Sequence, residues 1–318
     1  MPRYVDEVTS QEILGRAFDA TVRLVVPQSG AEDDPHATGF FYTDYASIGF
    51  SVEQAAEDWD ERLWLITNRH VVWSDTSGPT RSLEICLRDP DYTFGFKPPN
   101  PQTRVHLDAT YLAANAWVPN ALHVERPDVA AIEMVDDVLA AVTPWVFRES
   151  EFTVPTAAGR VLTFPRKFRL RALTRDDCGD PVDAPQVGAR VLTIGYPVGG
   201  VDEVTGIPVA KSGTIATGFI GGWKAGDSFL IDINQFPGAS GSPIFTAPQA
   251  FLVFDPDESQ SRPVVSAPAL IGIHCGGQTY KKQTVGLGVA WSMPWSLFFV
   301  IDPELAPVTL AAYNAADP

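Results

Sequence analysis

Phe236-Pro237-Gly238-Ala239-Ser240-Gly241-Ser242-Pro243 sets a serine hydroxyl between glycines, and the reading of this loop decides the rest of the chain. Glycine at 238 and 241 permits backbone dihedrals that a side chain obstructs, so the amides of Gly238 and Ser240 can converge on one oxygen outside the loop. A serine hydroxyl is a poor nucleophile at its own pKa and needs a base, itself oriented by an acid. Alone, a Gly-x-Ser-Gly loop reads equally well as an ordinary turn.

Two further segments supply the missing groups. Leu63-Trp64-Leu65-Ile66-Thr67-Asn68-Arg69-His70-Val71-Val72 is an apolar strand that ends in a polar step and a histidine. Arg126-Pro127-Asp128-Val129-Ala130-Ala131-Ile132 sets an aspartate just ahead of another apolar strand. Singly, His70 reads as structural and Asp128 as a turn residue. Jointly, in the order His, Asp, Ser, they form a candidate base, orienter and nucleophile in a chain order already used by one solution to this chemistry.

At these residues the chain resembles the trypsin-like serine peptidases of the chymotrypsin fold, particularly the bacterial glutamyl-endopeptidase and HtrA-like branches. The likeness is carried by Thr67-Asn68-Arg69-His70-Val71-Val72, Pro127-Asp128-Val129-Ala130-Ala131-Ile132, Gly195-Tyr196-Pro197 and Pro237-Gly238-Ala239-Ser240-Gly241-Ser242-Pro243. Ile271-Gly272-Ile273-His274-Cys275-Gly276-Gly277 is similar to the strand with which that family holds a substrate backbone. The resemblance implies an all-β fold of two six-stranded antiparallel β-barrels with a short N-terminal helix and a C-terminal helix, the active site lying between the barrels. It implies a serine endopeptidase acting on protein or peptide through His70, Asp128 and Ser240, with an oxyanion hole at Gly238 and Ser240 and no metal or organic cofactor.

The same resemblance implies the substrate-binding residues. Asn234 and Gln235 fall near the floor of the pocket for P1, the residue before the cleaved bond, with His274 and Gly288 on its walls and Cys275, Gly276 and Gly277 along the substrate strand. No carboxylate is among them to attract a basic P1 side chain. Gly272-Ile273-His274 is similar to the Gly-x-His of glutamyl endopeptidases and picornaviral 3C-like proteases, which implies Glu or Gln at P1; the alternative is a packed histidine beside a small apolar pocket. Ala239 stands where digestive proteases carry an aspartate that pairs with a freed N-terminus, so control by a partner protein or by loop ordering is expected instead. Two other readings are a catalytically silent protease-like binding module and a serine esterase. The complete set of three residues weighs against the first, and the lack of a Gly-x-Ser-x-Gly elbow followed by acid and histidine weighs against the second.

Composition bounds the same picture. A chain of 318 residues exceeds a single core, and the expected division is an N-terminal helical extension (1–19), a barrel carrying His70 and Asp128 (20–145), a barrel carrying Ser240 (146–303) and a tail (304–318). The 27 prolines and 25 glycines favour short strands and turns. A net charge of −16 argues against nucleic acid as partner. Charges in Met1-Pro2-Arg3-Tyr4-Val5-Asp6-Glu7 and the lack of a long apolar run predict a cytoplasmic protein without membrane attachment. Cys86, Cys178 and Cys275 read as free thiols.

A capping box at Thr9-Ser10-Gln11-Glu12 predicts an early helix. Strands are expected over 21–26, 39–42, 63–67, 82–87, 105–112 and 129–134 for the first barrel. For the second they are expected over 160–164, 167–172, 189–194, 212–219, 228–233, 241–245, 269–273 and 286–291, with a closing helix over 293–300. Insertions at 44–61, 89–102 and 246–268 read as long loops.

Overall fold

The computed structural model describes residues 4–5, 7–27, 35–43, 62–74, 78–79, 82–88, 103–119, 127–155, 161–179, 185–197, 206–219, 222–223, 228–234, 236–255, 260–280, 283–293 and 308–309. The expected insertions at 44–61 and 89–102, Gln235, and the expected closing helix beyond Met293 lie outside the described residues.

The first body of the fold is built from β1 (Thr21–Val25), β2 (His36–Thr43), β3 (Leu63–Thr67), β4 (Ser82–Leu87), β5 (Thr103–Asp108), β6 (Ala116–Val118) and β7 (Ala130–Glu133). With Val308–Thr309 at one edge they form an eight-stranded sheet, ordered Val308–Thr309, β6, β7, β3, β2, β1, β4, β5. β5 and β6 are six strand spacings apart in that order, which in a flat sheet is about 29 Å. They are nevertheless joined by the seven-residue helix Ala109–Asn115, which spans only about 10 Å. The sheet therefore curls into a half-barrel.

Alternation along its strands fills two cores. Leu63, Leu65, Phe41, Ala130 and Ile132 point into the half-barrel, whereas Trp64, Ile66, Phe40, Tyr42 and Ala131 point to the opposite side. Because both faces are covered, these strands read as continuous apolar runs and not as alternating ones.

The second body is a closed barrel of β8 (Arg190–Gly195), β9 (Val209–Ile215), β10 (Ser228–Asp232), β11 (Pro243–Thr246), β12 (Leu270–Tyr280) and β13 (Gln283–Ser292), in the order β8, β9, β10, β13, β12, β11. Ile194, Phe245, Leu270 and Ile273 of this barrel meet the outer face of the half-barrel in one shared cluster. The mostly-β architecture of two barrel-type sheets implied by the sequence is thus the one the chain adopts.

Several elements differ from expectation. The first sheet holds eight strands in place of six. Residues 105–112 do not continue as a strand: Asp108 accepts the Tyr111 amide at 2.7 Å and caps the helix that follows. The strands expected at 160–164 and 167–172 are one strand, Val161–Leu170, paired with Phe147–Pro155 outside the closed barrel. The 246–268 insertion is a hairpin, Ala250–Asp255 with Gln260–Ser266, joined by Tyr4–Val5 as a third strand. Within the expected tail, Val308–Thr309 pairs with Val118 and Trp117. Helix Asp136–Val146 was not anticipated.

The N-terminal helix, Glu7–Ala20, begins ahead of the expected cap. It buries Ser10, Ile13, Ala17 and Ala20 in one stripe, the last three in the seam between the two bodies. Two ion pairs hold it. Arg88, 9% exposed, donates from Nη2 to the Asp19 carboxylate (2.9 Å) and the Phe18 carbonyl (3.0 Å). Arg16 lies 3.6 Å from buried Asp177, whose pKa is raised by burial. Replacing Arg88 by Met strips the guanidinium from a poorly solvated carboxylate, so unfolding free energy in urea falls by about 3 kcal/mol. Arg62→Met, which removes a pair at 3.3 Å in which the arginine is 55% exposed, changes it by less than about 1 kcal/mol.

Candidate active site

β3 ends at Thr67, and buried Asn68 leads into the single helical turn Arg69–Val72. Val71 and Val72 are buried in the half-barrel core, so the turn directs His70 outward, with 47% of its side chain exposed. β7 runs antiparallel to β3 with Ala130 opposite Thr67. Two residues upstream of that pair, Asp128 therefore arrives beside the helical turn. His70 Nδ1 donates to Asp128 Oδ2 at 2.6 Å, and the His70 amide donates to Oδ1 at 3.0 Å. Asn68 Nδ2 completes the clamp by donating to the Asp128 carbonyl at 2.7 Å. With its Nδ1 proton held by the carboxylate, the imidazole keeps Nε2 as its acceptor.

Ser240 lies in the loop between β10 and β11, and that loop is docked against the half-barrel through Thr38 of β2. The Thr38 amide donates to the Ser240 carbonyl at 2.8 Å, and Thr38 Oγ1 donates to the Gly238 carbonyl at 2.8 Å. Thr38 Oγ1 also accepts the Tyr196 amide at 3.0 Å, and the Thr38 carbonyl accepts Thr67 Oγ1 at 2.8 Å. Thr67 precedes the histidine turn by two residues, so one threonine links the Ser240 loop to the strand that bears His70. Gly241, at φ 87°, has no room for a side chain: a Cβ there would lie 1.9 Å from the Thr38 carbonyl oxygen.

The loop's other face is tied to β12. The Gly241 amide donates to the His274 carbonyl at 2.8 Å, and the His274 amide to the Ser242 carbonyl at 2.9 Å. The Ala239 carbonyl accepts from His274 Nδ1 at 3.2 Å and from the Ser242 amide at 3.1 Å. In a planar trans peptide the N–H points opposite to the C=O, so the Ser240 amide faces away from both partners. Among the described residues, neither the Gly238 nor the Ser240 amide donates to a protein acceptor.

His274 is 3% exposed. Burial, reinforced by the charges of Lys211 and His70, lowers its pKa to about 4 against the opposing pull of the Ala239 carbonyl. The next residue, Cys275, has its thiol pushed well up by burial and by the charge of Asp128. It is a protonated thiol and a poor nucleophile. His70 and Asp128 act electrostatically on His274 and Cys275 respectively. Gly288 of β13 sits opposite Gly277 on one side and Ile231 on the other, and Gly276 takes φ 144° at an irregular step of the β12–β13 pairing. Asn234 is exposed, and its carbonyl accepts from Lys211 Nζ.

No family model matches the sequence, and no curated protein matches it. Two solved structures of the HtrA-type protease AlgW with tripeptide align at 16% identity and a TM-score of 0.44, over 91% of this chain and 61% of theirs. The serine endoprotease from Yersinia pestis aligns at 12% identity and a TM-score of 0.45, over 91% of this chain and 64% of its own. This chain thus spans less than two thirds of the length of those proteins.

Thr67 and Asn68 lie in the stretch quoted for the resemblance but were given no role there, and Thr38 and Lys211 were not singled out. Nothing local marks these last two, whose partners lie 200 and 23 positions away. Thr38→Val keeps the shape of the side chain and deletes Oγ1. The buried Tyr196 amide loses its acceptor and the Gly238 carbonyl its donor, so urea denaturation shows a loss of about 2–3 kcal/mol.

Burial of His274 also fixes a pH dependence. Its unfolded pKa is 6.5 and its folded pKa about 4, so between these values only the unfolded chain takes up the proton. Its neutral burial carries no penalty above the unfolded pKa; stability falls as pH drops toward the folded pKa, by about 3 kcal/mol at most, and levels off below it. In His274→Asn that component is gone, and the stability gap between wild type and variant narrows by this amount in urea titrations taken from neutral pH to pH 4.

Proposed function

We propose that this protein is a serine endopeptidase in which His70, Asp128 and Ser240 act together on a peptide carbonyl. The observation that carries the reading is the double grip of one carboxylate on His70, at imidazole and backbone, beside a serine loop docked through Thr38 onto the same sheet. The grip fixes the tautomer in which Nε2 can take a proton.

Ser240 Oγ attacks the carbonyl carbon as His70 Nε2 accepts the hydroxyl proton. Asp128 stabilises the imidazolium that results without taking the proton itself. The tetrahedral oxyanion is received by the amides of Gly238 and Ser240, which have no protein acceptor among the described residues. A donor of this kind contributes about 3–4 kcal/mol to the transition state. His70 then returns its proton to the leaving amine, and water repeats the cycle on the acyl-enzyme. The extended β12 segment through Gly276 and Gly277 holds the substrate backbone by strand pairing. Asn234, His274 and Gly288 surround P1, with Glu or Gln as the side chain accepted. Ala239 offers no carboxylate to a freed N-terminus, so activity is controlled by ordering of surrounding loops or by a partner.

A fluorophosphonate probe labels Ser240 in the wild type and not in Ser240→Ala. Casein cleavage is lost in that variant, and Asp128→Asn lowers kcat by about 10⁴-fold. An unlabelled Ser240 sinks the proposal. Labelling with ester turnover but no peptide cleavage replaces endopeptidase by esterase.

A further inference from the structure

Two nitrogen bases stand near the P1 site, and their states differ. His274 donates its Nδ1 proton to the Ala239 carbonyl at 3.2 Å, and the acceptor there has no proton to give in return. The neutral ring therefore carries its lone pair on Nε2, which accepts a hydrogen bond and offers nothing to a carboxylate. Buried at 3% exposure beside the charges of Lys211 and His70, this ring is not a source of positive charge.

Lys211 is. It projects from β9 with Nζ on the Asn234 carbonyl and 4.2 Å from the centre of the Phe236 ring. Both partners belong to the short segment that leads into Gly238 and Ser240. The ring, 51% exposed, and the carbonyl hold the ammonium beside the segment that leads into the serine loop. An ammonium has three donors, and one carbonyl occupies only one of them. Its partners Asn234 and Phe236 precede the serine loop in the chain, and His274, whose Nδ1 donates to the Ala239 carbonyl of that loop, feels its charge.

We propose that Lys211 is the specificity-determining residue of the P1 site and selects an ionised carboxylate, with His274 serving as a neutral wall. This inference rests on the peptidase reading above and narrows its P1 choice from Glu or Gln to Glu. An ammonium in a partly desolvated position discriminates a carboxylate from its isosteric amide by charge. The neutral imidazole cannot make that distinction in the same direction, since its Nε2 lone pair favours the N–H of an amide.

The test compares kcat/KM on peptides that differ only in Glu or Gln at P1. The wild type favours Glu by at least about tenfold. Lys211→Met brings the Glu-to-Gln ratio to within about threefold of unity, Lys211→Arg retains the preference, and His274→Gln leaves the ratio standing. Fluorophosphonate labelling of each variant at Ser240 confirms that it folds with its nucleophile in place. A ratio unchanged in Lys211→Met, or one that collapses in labelled His274→Gln, overturns this inference while the peptidase reading stands. Loss of labelling in the wild type overturns both.

Discussion

The docking of the serine loop depends on Thr38. Its amide, hydroxyl and carbonyl are all engaged, and their partners come from the serine loop, from Tyr196 and from Thr67. The two bonds to the loop fix it in two places, at the Gly238 and Ser240 carbonyls, so it cannot pivot about either. The missing side chain at Gly241 is the other half of this constraint, because the Thr38 carbonyl occupies the space a Cβ would take. The hydroxyl-bearing loop of one body is thus positioned by a strand of the other. Orientation of this kind contributes more to an attack than the intrinsic reactivity of the hydroxyl.

Such a joint works only if the two bodies cannot slide. The half-barrel is apolar on both faces: its inner face fills its own core and its outer face meets the closed barrel through Phe40, Tyr42, Trp64 and Ile66. The N-terminal helix adds Ile13, Ala17 and Ala20 to that seam and is tethered by Arg88 on the half-barrel. Close-packed interiors deform little, so a seam of large side chains transmits position from β2 and β3 to the serine loop. Asp128 and His70 emerge from adjacent strands of the same sheet, and their separation is set by strand pairing and by nothing more distant.

What could be read from the sequence follows from the range of each interaction. The serine loop, the histidine turn and Asp128 each carry local patterns: glycines beside a serine, an apolar strand ending in a polar step, an acid ahead of a strand. Thr38 sits in an apolar strand, and its importance lies in partners about 160 to 200 positions away. Lys211 likewise gains meaning only when β9 is laid beside the Asn234–Phe236 segment. Residues 105–112 read as one strand because Val105, Leu107 and Leu112 suit either period, and only the Asp108 cap separates strand from helix. Prolines in 246–268 suggested a loop, yet a two-stranded hairpin accommodates Pro263 opposite Leu252. The eight-strand count followed from Ala116–Val118 and Val308–Thr309, strands of three and two residues too short to announce themselves.

The distribution of charge along the groove follows from how deeply each group is set. His70 keeps 47% of its side chain exposed while paired with Asp128, so it can gain and lose a proton with water near. His274 and Cys275, on β12 of the closed barrel, are held neutral by burial. A second charge at either position would compete with the His70–Asp128 pair at short range in a weakly screening environment. Lys211, by contrast, holds its ammonium over the Phe236 ring, a cation in a chain of net charge −16. Under the proposal above, that ammonium draws a substrate carboxylate by its charge while His274 stays neutral.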